Sequence, residues 1–267
     1  WANKVWNPIT GCSPVSEGCQ NCYADRMSKR LKGRCGYSKT DPFQITYHDD
    51  KLGDPLHWKK PSRIFVCSMG DLFHESIDEG YLCRVFDVMV HANKHIFMVL
   101  TKRPERMKKF FDKCIHGKPA PNIWLGVTTE NQQRADERIP ILLQTPAVVR
   151  FVSVEPILRD IELYDYLPMY DFRPTYDYYQ AMYPELGNKP ILLTPGIDWV
   201  ICGGETGQRA RPAQQEWIRS IYTLTRVAGV PFFFKKWGTS TKISNNEKYK
   251  VIEECREFPE FEFRTSK

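Results

Sequence analysis

The chain has 267 residues, 42% of them hydrophobic and 26% charged, with a formal net charge of +6. No apolar run approaches the ~20 residues that cross a bilayer, and no secretory signal peptide is recognisable, so a cytoplasmic protein with no membrane partner is expected. Nine cysteines are an odd number, and Cys67 and Cys202 stand in apolar surroundings, which favours thiols kept for packing or metal over a disulfide framework.

In chain order, a first strand is expected near residues 5–11. It leads into "GCSPVSEGCQNCYADRMSKRLKG", residues 11–33, which carries Cys12, Cys19 and Cys22. Gly11 and Gly18 allow the backbone to fold back, and a helix is expected from about Ala24, striped by Ala24, Met27 and Leu31 and ended by Gly33. Six short apolar runs follow, at 63–73, 95–104, 122–131, 149–156, 198–207 and 230–238, each ending abruptly in polar residues or glycine. Helical spacing fills most gaps, over 76–93, 104–114, 131–144 and 212–228. Strands apolar on both faces alternating with helices predict a covered parallel sheet. The expected fold class is α/β: a partial or complete TIM-like (β/α) barrel of about six to seven parallel strands, with a doubly wound open sheet as the alternative. Residues 1–238 would form the barrel domain and 239–267 a peripheral polar tail. Residues 164–195 hold seven tyrosines and five prolines and read as an insertion, either a lid or base-stacking surface or an irregular loop anchored by its tyrosines.

The polar residues cluster at the carboxyl ends of the strands, where a β/α barrel carries its active site. They are Ser68 and Asp71, Lys102 and Arg103, Thr128 and Glu130, Ser153 and Glu155, Gly203, Gly204 and Glu205, and Lys235 with Trp237. Paired glycines let a ligand approach the backbone, and Glu205 would accept from an ammonium or ribose hydroxyls. Lys102 and Arg103 suit a carboxylate or phosphate, while Lys235 and Trp237 offer a cation and a stacking face. His74 is a candidate for proton transfer. Positive residues group at Lys29, Arg30, Lys32 and Arg34, at Lys59, Lys60 and Arg63, and from Lys102 to Lys109, as a polyanionic partner would require.

Three readings of the cysteine loop stand side by side. Three cysteines hold three irons of a cubane cluster and leave the fourth iron open to a ligand. Alternatively Cys35 completes a four-thiolate zinc site, in a zinc-stapled nucleic-acid-binding protein without catalysis. The third reading is structural cysteines with no metal.

Seven blocks, "VWNPITGCSPVSEGCQNCYADRMSKRL", "FVCSMGDLFHE", "VLTKRPERM", "LGVTTEN", "VSVEPIL", "WVICGGETGQRARP" and "FFFKKWG", occur in order over residues 5–238. They resemble a phage and bacterial three-cysteine-motif family of mostly uncharacterised proteins within the radical S-adenosylmethionine (SAM) superfamily. The resemblance implies a [4Fe–4S] cluster on Cys12, Cys19 and Cys22, with SAM at the open iron. It implies reductive cleavage of SAM to a 5′-deoxyadenosyl radical that abstracts hydrogen from a substrate. Six residues separate the first two cysteines where the superfamily usually has three, and Asn21 stands where an aromatic usually precedes the last cysteine, with Tyr23 just after it. Tyr23, Ser68, Asp71, Ser153, Glu155, Gly203, Gly204 and Glu205 would bind the cofactor. Lys102, Arg103, Thr128, Glu130, Lys235 and Trp237 would serve catalysis or substrate binding. The expected substrate is a nucleic acid base or nucleotide, DNA rather than RNA, with flavodoxin or ferredoxin as electron donor. The concrete expectation is thymidine hypermodification in phage DNA, such as a radical isomerisation of an amino-acid-modified thymidine; DNA repair and tRNA modification are the alternatives.

Overall fold

The apolar runs become seven strands: β1 Lys4–Trp6, β2 Arg63–Val66, β3 Ile96–Thr101, β4 Ile123–Thr128, β5 Arg150–Val154, β6 Trp199–Gly203 and β7 Phe232–Lys236. The computed structural model describes residues 1–114, 119–171, 191–244 and 246–260. All seven strands lie side by side in chain order, every neighbouring pair parallel, in one sheet that curls into a half-barrel. A doubly wound sheet would reverse its strand order partway along. This one does not, so the partial barrel is the architecture realised.

Helices α1 Tyr23–Arg30, α2 Glu79–His91, α3 Pro104–Cys114, α4 Gln132–Leu143, α5 Gln215–Val227 and α6 Glu247–Glu254 follow local signals. Asp78 caps α2 by accepting from the Tyr81 amide, and Asn131 caps α4 by accepting from the Arg134 amide. Pro104 opens α3, where its fixed φ is already helical. Strand alternation then divides the core in two. Ile64, Val66, Phe97, Val99, Leu125, Val127, Val152, Val200 and Phe232 face the helices and meet Leu82, Phe86, Phe110, Ile139 and Ile218. Ile96, Met98, Trp124, Phe151, Trp199, Ile201 and Phe233 point the other way and fill the concave side, with Trp1 and Phe258 packed against them. Both faces are therefore apolar, which is why these runs show no polar alternation.

Residues 239–260, read from sequence as peripheral, pack onto the sheet. Tyr249 and Ile252 of α6 are buried, and the Phe258 ring lies 5.4 Å from Trp199 and 5.3 Å from Phe233. The amide of Phe232 donates to Glu257 Oε2 at 3.1 Å, and Trp199 Nε1 donates to the Glu257 carbonyl at 3.0 Å. A few apolar residues spaced through a charged stretch suffice for this docking.

Of the tyrosine-rich stretch, residues 172–190 lie outside the described residues, and with them most of the expected stacking surface. On either side, Met169–Asp171 pairs antiparallel with Ile191–Thr194, and the Tyr166 hydroxyl donates to Asp136 on α4 at 2.7 Å. Among the described residues no helix is long and apolar enough to cross a membrane.

Candidate active site

The three cysteines sit at the carboxyl edge of the half-barrel. After β1 the chain forms a short antiparallel pair, Ile9–Thr10 with Thr46–Tyr47, and Gly11 bridges in parallel to Gly70 just beyond β2. Cys12 follows at once, its amide donating to the Phe43 carbonyl at 3.2 Å. Cys19 closes a single 3₁₀ turn, Glu17–Cys19, and Cys22 is the N-cap residue of α1. All nine cysteines are free thiols, and these three are half-buried. Burial, reinforced by the Asp71 carboxylate, pushes the Cys12 thiol up to about 11, although Arg103 pulls the other way.

Side chains from the ends of three strands hold the loop in place. Beyond β3, the buried Arg103 donates from Nη1 to Cys12 Sγ at 3.4 Å and to Asp71 Oδ2 at 3.3 Å. Its Nη2 reaches the Ser13 carbonyl at 3.0 Å and hydroxyl at 3.1 Å, and its Nε donates to both oxygens of Glu75 at 2.9 Å. Asp71 completes this corner by accepting from Thr101 Oγ1 at 2.7 Å and the Lys102 amide at 3.0 Å.

Beyond β4, Glu130 is fully buried. Its Oε1 accepts from Ser16 Oγ at 2.7 Å and lies 3.6 Å from Lys102 Nζ, while Arg138 of α4 donates to Oε2 at 3.0 Å. Gly18 passes so close that a Cβ there would sit 2.3 Å from Glu130 Oε1, so the loop requires glycine at this point. Glu17 is tied to Arg134 at 3.0 Å on the same side.

Beyond β6, Glu205 Oε2 accepts from Asn21 Nδ2 at 2.9 Å and from the Arg211 amide at 2.7 Å. The Arg211 guanidinium forks onto the same carboxylate. Burial alone would raise the Glu205 pKa, but the bonds from Arg211 and Asn21 outweigh it and hold the pKa below its ordinary value. Gly204 is a second obligatory glycine, since a Cβ there would fall 1.9 Å from the Trp237 carbonyl oxygen.

The inward-facing residues of the middle strands lie beneath this loop. Register pairs Thr128 with Ser153 and Ser153 with Ile201, and Thr128 and Ser153 are buried. Glu155, just beyond β5, forms an ion pair with Lys235 of β7, whose Nζ lies 4.8 Å over the Trp1 ring. Ser68 donates to Asn7 Oδ1 at 3.3 Å. His74 accepts the Ser76 amide at Nδ1, 3.1 Å away, which leaves Nε2–H to donate to Ser13 Oγ at 2.8 Å. Burial, with Arg103 adding to it, lowers the His74 pKa. Tyr23 is exposed, on the first turn of α1.

Four expected ligands are placed differently, Glu130 being held by Ser16 and Arg138 and Glu205 by Asn21 and Arg211. Trp237 is buried, its ring 4.7 Å from Phe234 and 5.9 Å from Tyr249, so it presents no stacking face at the mouth. Arg103 is consumed by internal partners rather than offered to a substrate. The residues that sequence reasoning passed over are the countercharges Glu75, Arg138 and Arg211, with Ser16. One signal was available: Arg138 interrupts the buried face of α4 between Ala135, Ile139 and Leu142. A charge at a core position needs a buried partner.

The donor set is chemically suited to a thiophilic metal group: three unbridged thiols on one braced loop, one of them bonded to a guanidinium. Among the described residues no three His, Cys, Asp or Glu side chains converge on a point that would hold a single metal ion. A mononuclear zinc site needs its sulfurs ~2.3 Å from one centre. A cubane takes one thiolate on each of three irons, so its three sulfurs must surround one cluster. Cys35 is exposed, on a turn with φ +52°.

Over residues 1–259 the chain matches the model of the family described as protein of unknown function (DUF5131). This corrects the kinship expected from the seven blocks: no radical SAM family matches, and superfamily membership is not supported. No curated protein and no solved structure matches the chain.

Proposed function

For this chain, which belongs to the DUF5131 family, we propose from its own residues an iron–sulfur enzyme that acts on a nucleic acid base. The observation that carries the reading is one loop with three free thiols, clamped by Arg103, Glu130 and Glu205 to the carboxyl ends of β3, β4 and β6. Cys12, Cys19 and Cys22 are the ligands proposed for a [4Fe–4S] cluster. Bound there, the cluster would supply the electron that cleaves SAM and yields a 5′-deoxyadenosyl radical.

The chain's own contribution is placement. The clamps fix the loop at the carboxyl ends of β3, β4 and β6, and the partners proposed for a cofactor held on it are Thr128, Ser153, Gly203 and the Glu155–Lys235 pair. Those groups offer hydroxyl, carboxylate and ammonium partners for the ribose and the amino-acid end of SAM. The apolar layer of Trp124, Phe151, Trp199 and Phe233 beneath them keeps water from below.

Partner choice follows from charge. Lys29, Arg30, Lys32 and Arg34 are all exposed directly after the loop, whereas Arg103 and Lys102 are turned to internal carboxylates. This exposed cationic cluster at and beyond the end of α1 suits a phosphate backbone. The substrate proposed is a DNA base in preference to RNA, flipped out of any duplex; thymidine hypermodification by radical isomerisation is the specific reaction, in the cytoplasm, with flavodoxin or ferredoxin as reductant.

The test is protein purified without oxygen, assayed for iron, sulfide and zinc, then reduced with dithionite in the presence of SAM. Three to four irons per chain, and 5′-deoxyadenosine formation abolished by Cys19→Ala, are expected. Stoichiometric zinc without iron would overturn the reading.

A further inference from the structure

Every nitrogen of the Arg103 guanidinium is engaged, and one of its partners is sulfur. Asp71 and Glu75 pin the fork from behind, Ser13 holds Nη2, and Nη1 is left directed at Cys12 Sγ, 3.4 Å away. The backbone is fixed too, since the Arg103 amide donates to Thr101 Oγ1 at 2.9 Å. With the side chain buried, this fork has no free N–H to give a substrate. The arrangement is also one-sided: among the described side chains, no cation is bonded to the sulfur of Cys19 or Cys22.

We propose that Arg103 is a positioning residue for the cysteine-bound metal group, donating an N–H···S bond to Cys12 and so setting the electron affinity at that ligand. The assignment rests on the iron–sulfur reading above. A charge-assisted donor to a ligand sulfur stabilises the electron-rich state more than the oxidised one. Hydrogen bonds to ligand sulfurs are among the factors that set the potential of an iron–sulfur cluster. Asp71 and Glu75 neutralise much of the guanidinium's charge at a distance, so the directed bond, rather than net charge, is what Cys12 receives. The same interaction orders the start of the loop, because Ser13 and Cys12 are held by one rigid fork.

The experiment is a redox titration of reconstituted wild type, Arg103→Gln and Lys108→Gln, with iron and sulfide assayed on each. Lys108→Gln removes one positive charge from α3, the helix that follows Arg103, without touching sulfur. Arg103→Gln should retain its iron while its reduction equilibrium falls at least about tenfold, ~59 mV for a one-electron couple, with Lys108→Gln unmoved. Equal potentials in Arg103→Gln and wild type overturn the assignment alone. Wild type that takes up no iron overturns the iron–sulfur reading and this assignment together. Should Arg103→Gln not fold, wild type labelled with guanidinium-¹⁵N arginine decides the matter. Electron–nuclear double resonance of the reduced cluster then shows a ¹⁵N coupling, or its absence overturns the proposal.

Discussion

Ser16, on the cysteine loop, donates to one oxygen of Glu130 at 2.7 Å, while Arg138 holds the other oxygen at 3.0 Å. A completely buried carboxylate thereby joins a surface loop to a helix on the far side of the strand end. Loop placement and core stability are consequently the same interaction at this point.

Removing Arg138 would strip the buried Glu130 of its hydrogen-bonded cation, leaving it Ser16 and the Lys102 ammonium 3.6 Å away on the other oxygen. Arg138→Ala is expected to cost about 3–5 kcal/mol, whereas replacing both partners by apolar residues of similar volume costs much less. Urea unfolding of the two variants measures the difference; equal losses would show that the pair is not the determining interaction.

Gly18→Ala places a methyl 2.3 Å from Glu130 Oε1, and that carboxylate cannot swing aside because Arg138 and Ser16 hold it. The loop must shift instead. We expect overpacking of about 1–3 kcal/mol and a several-fold drop in iron uptake with the far-ultraviolet circular dichroism unchanged. Full uptake by the variant would mean that the loop is not held where Glu130 puts it.

Cys35→Ala separates the metal readings. Cys35 lies on an exposed turn, so the variant should load iron as wild type does, while Cys19→Ala should load little. Metal content of the two proteins, prepared in parallel, gives the answer.

The Glu205 carboxyl has a folded pKa below its ordinary value, burial being outweighed by Arg211 and Asn21. A depressed carboxyl contributes stability that is present above the unfolded pKa, ~4.3 for glutamate, and lost as pH falls through the folded pKa. Wild type should therefore lose stability on acidification below that value, and Glu205→Gln, already less stable at pH 7, should lose less over the same range. Thermal unfolding at pH 3 to 7 checks both the sign and the window.

Replacing Lys29, Arg30, Lys32 and Arg34 by glutamine should weaken duplex and single-stranded DNA binding alike. It should also flatten the dependence of log K on log salt by ~0.9 for each duplex phosphate that the variant no longer neutralises. An unchanged slope would place the nucleic acid elsewhere on the surface.

Sequence alone determined the local events. Apolar runs of strand length, helical spacing between them, Pro104 and the Asn131 cap each act within a few residues, and the strands and helices form where those signals lie. The polar strand ends were legible for the same reason, because a parallel strand exposes its carboxyl end to the same edge every time. Only the tertiary structure decided how those ends are used. Asn21 meets Glu205 across 184 residues, and Arg103 meets Cys12 across 91, pairings that no period or spacing encodes. The outcome depends on which strand ends become neighbours in the curled sheet and on the cost of leaving a buried charge unpaired. That cost turned Arg103, legible as a ligand for a substrate, and Glu205, legible as a ligand for the cofactor, into the clamps of the loop itself.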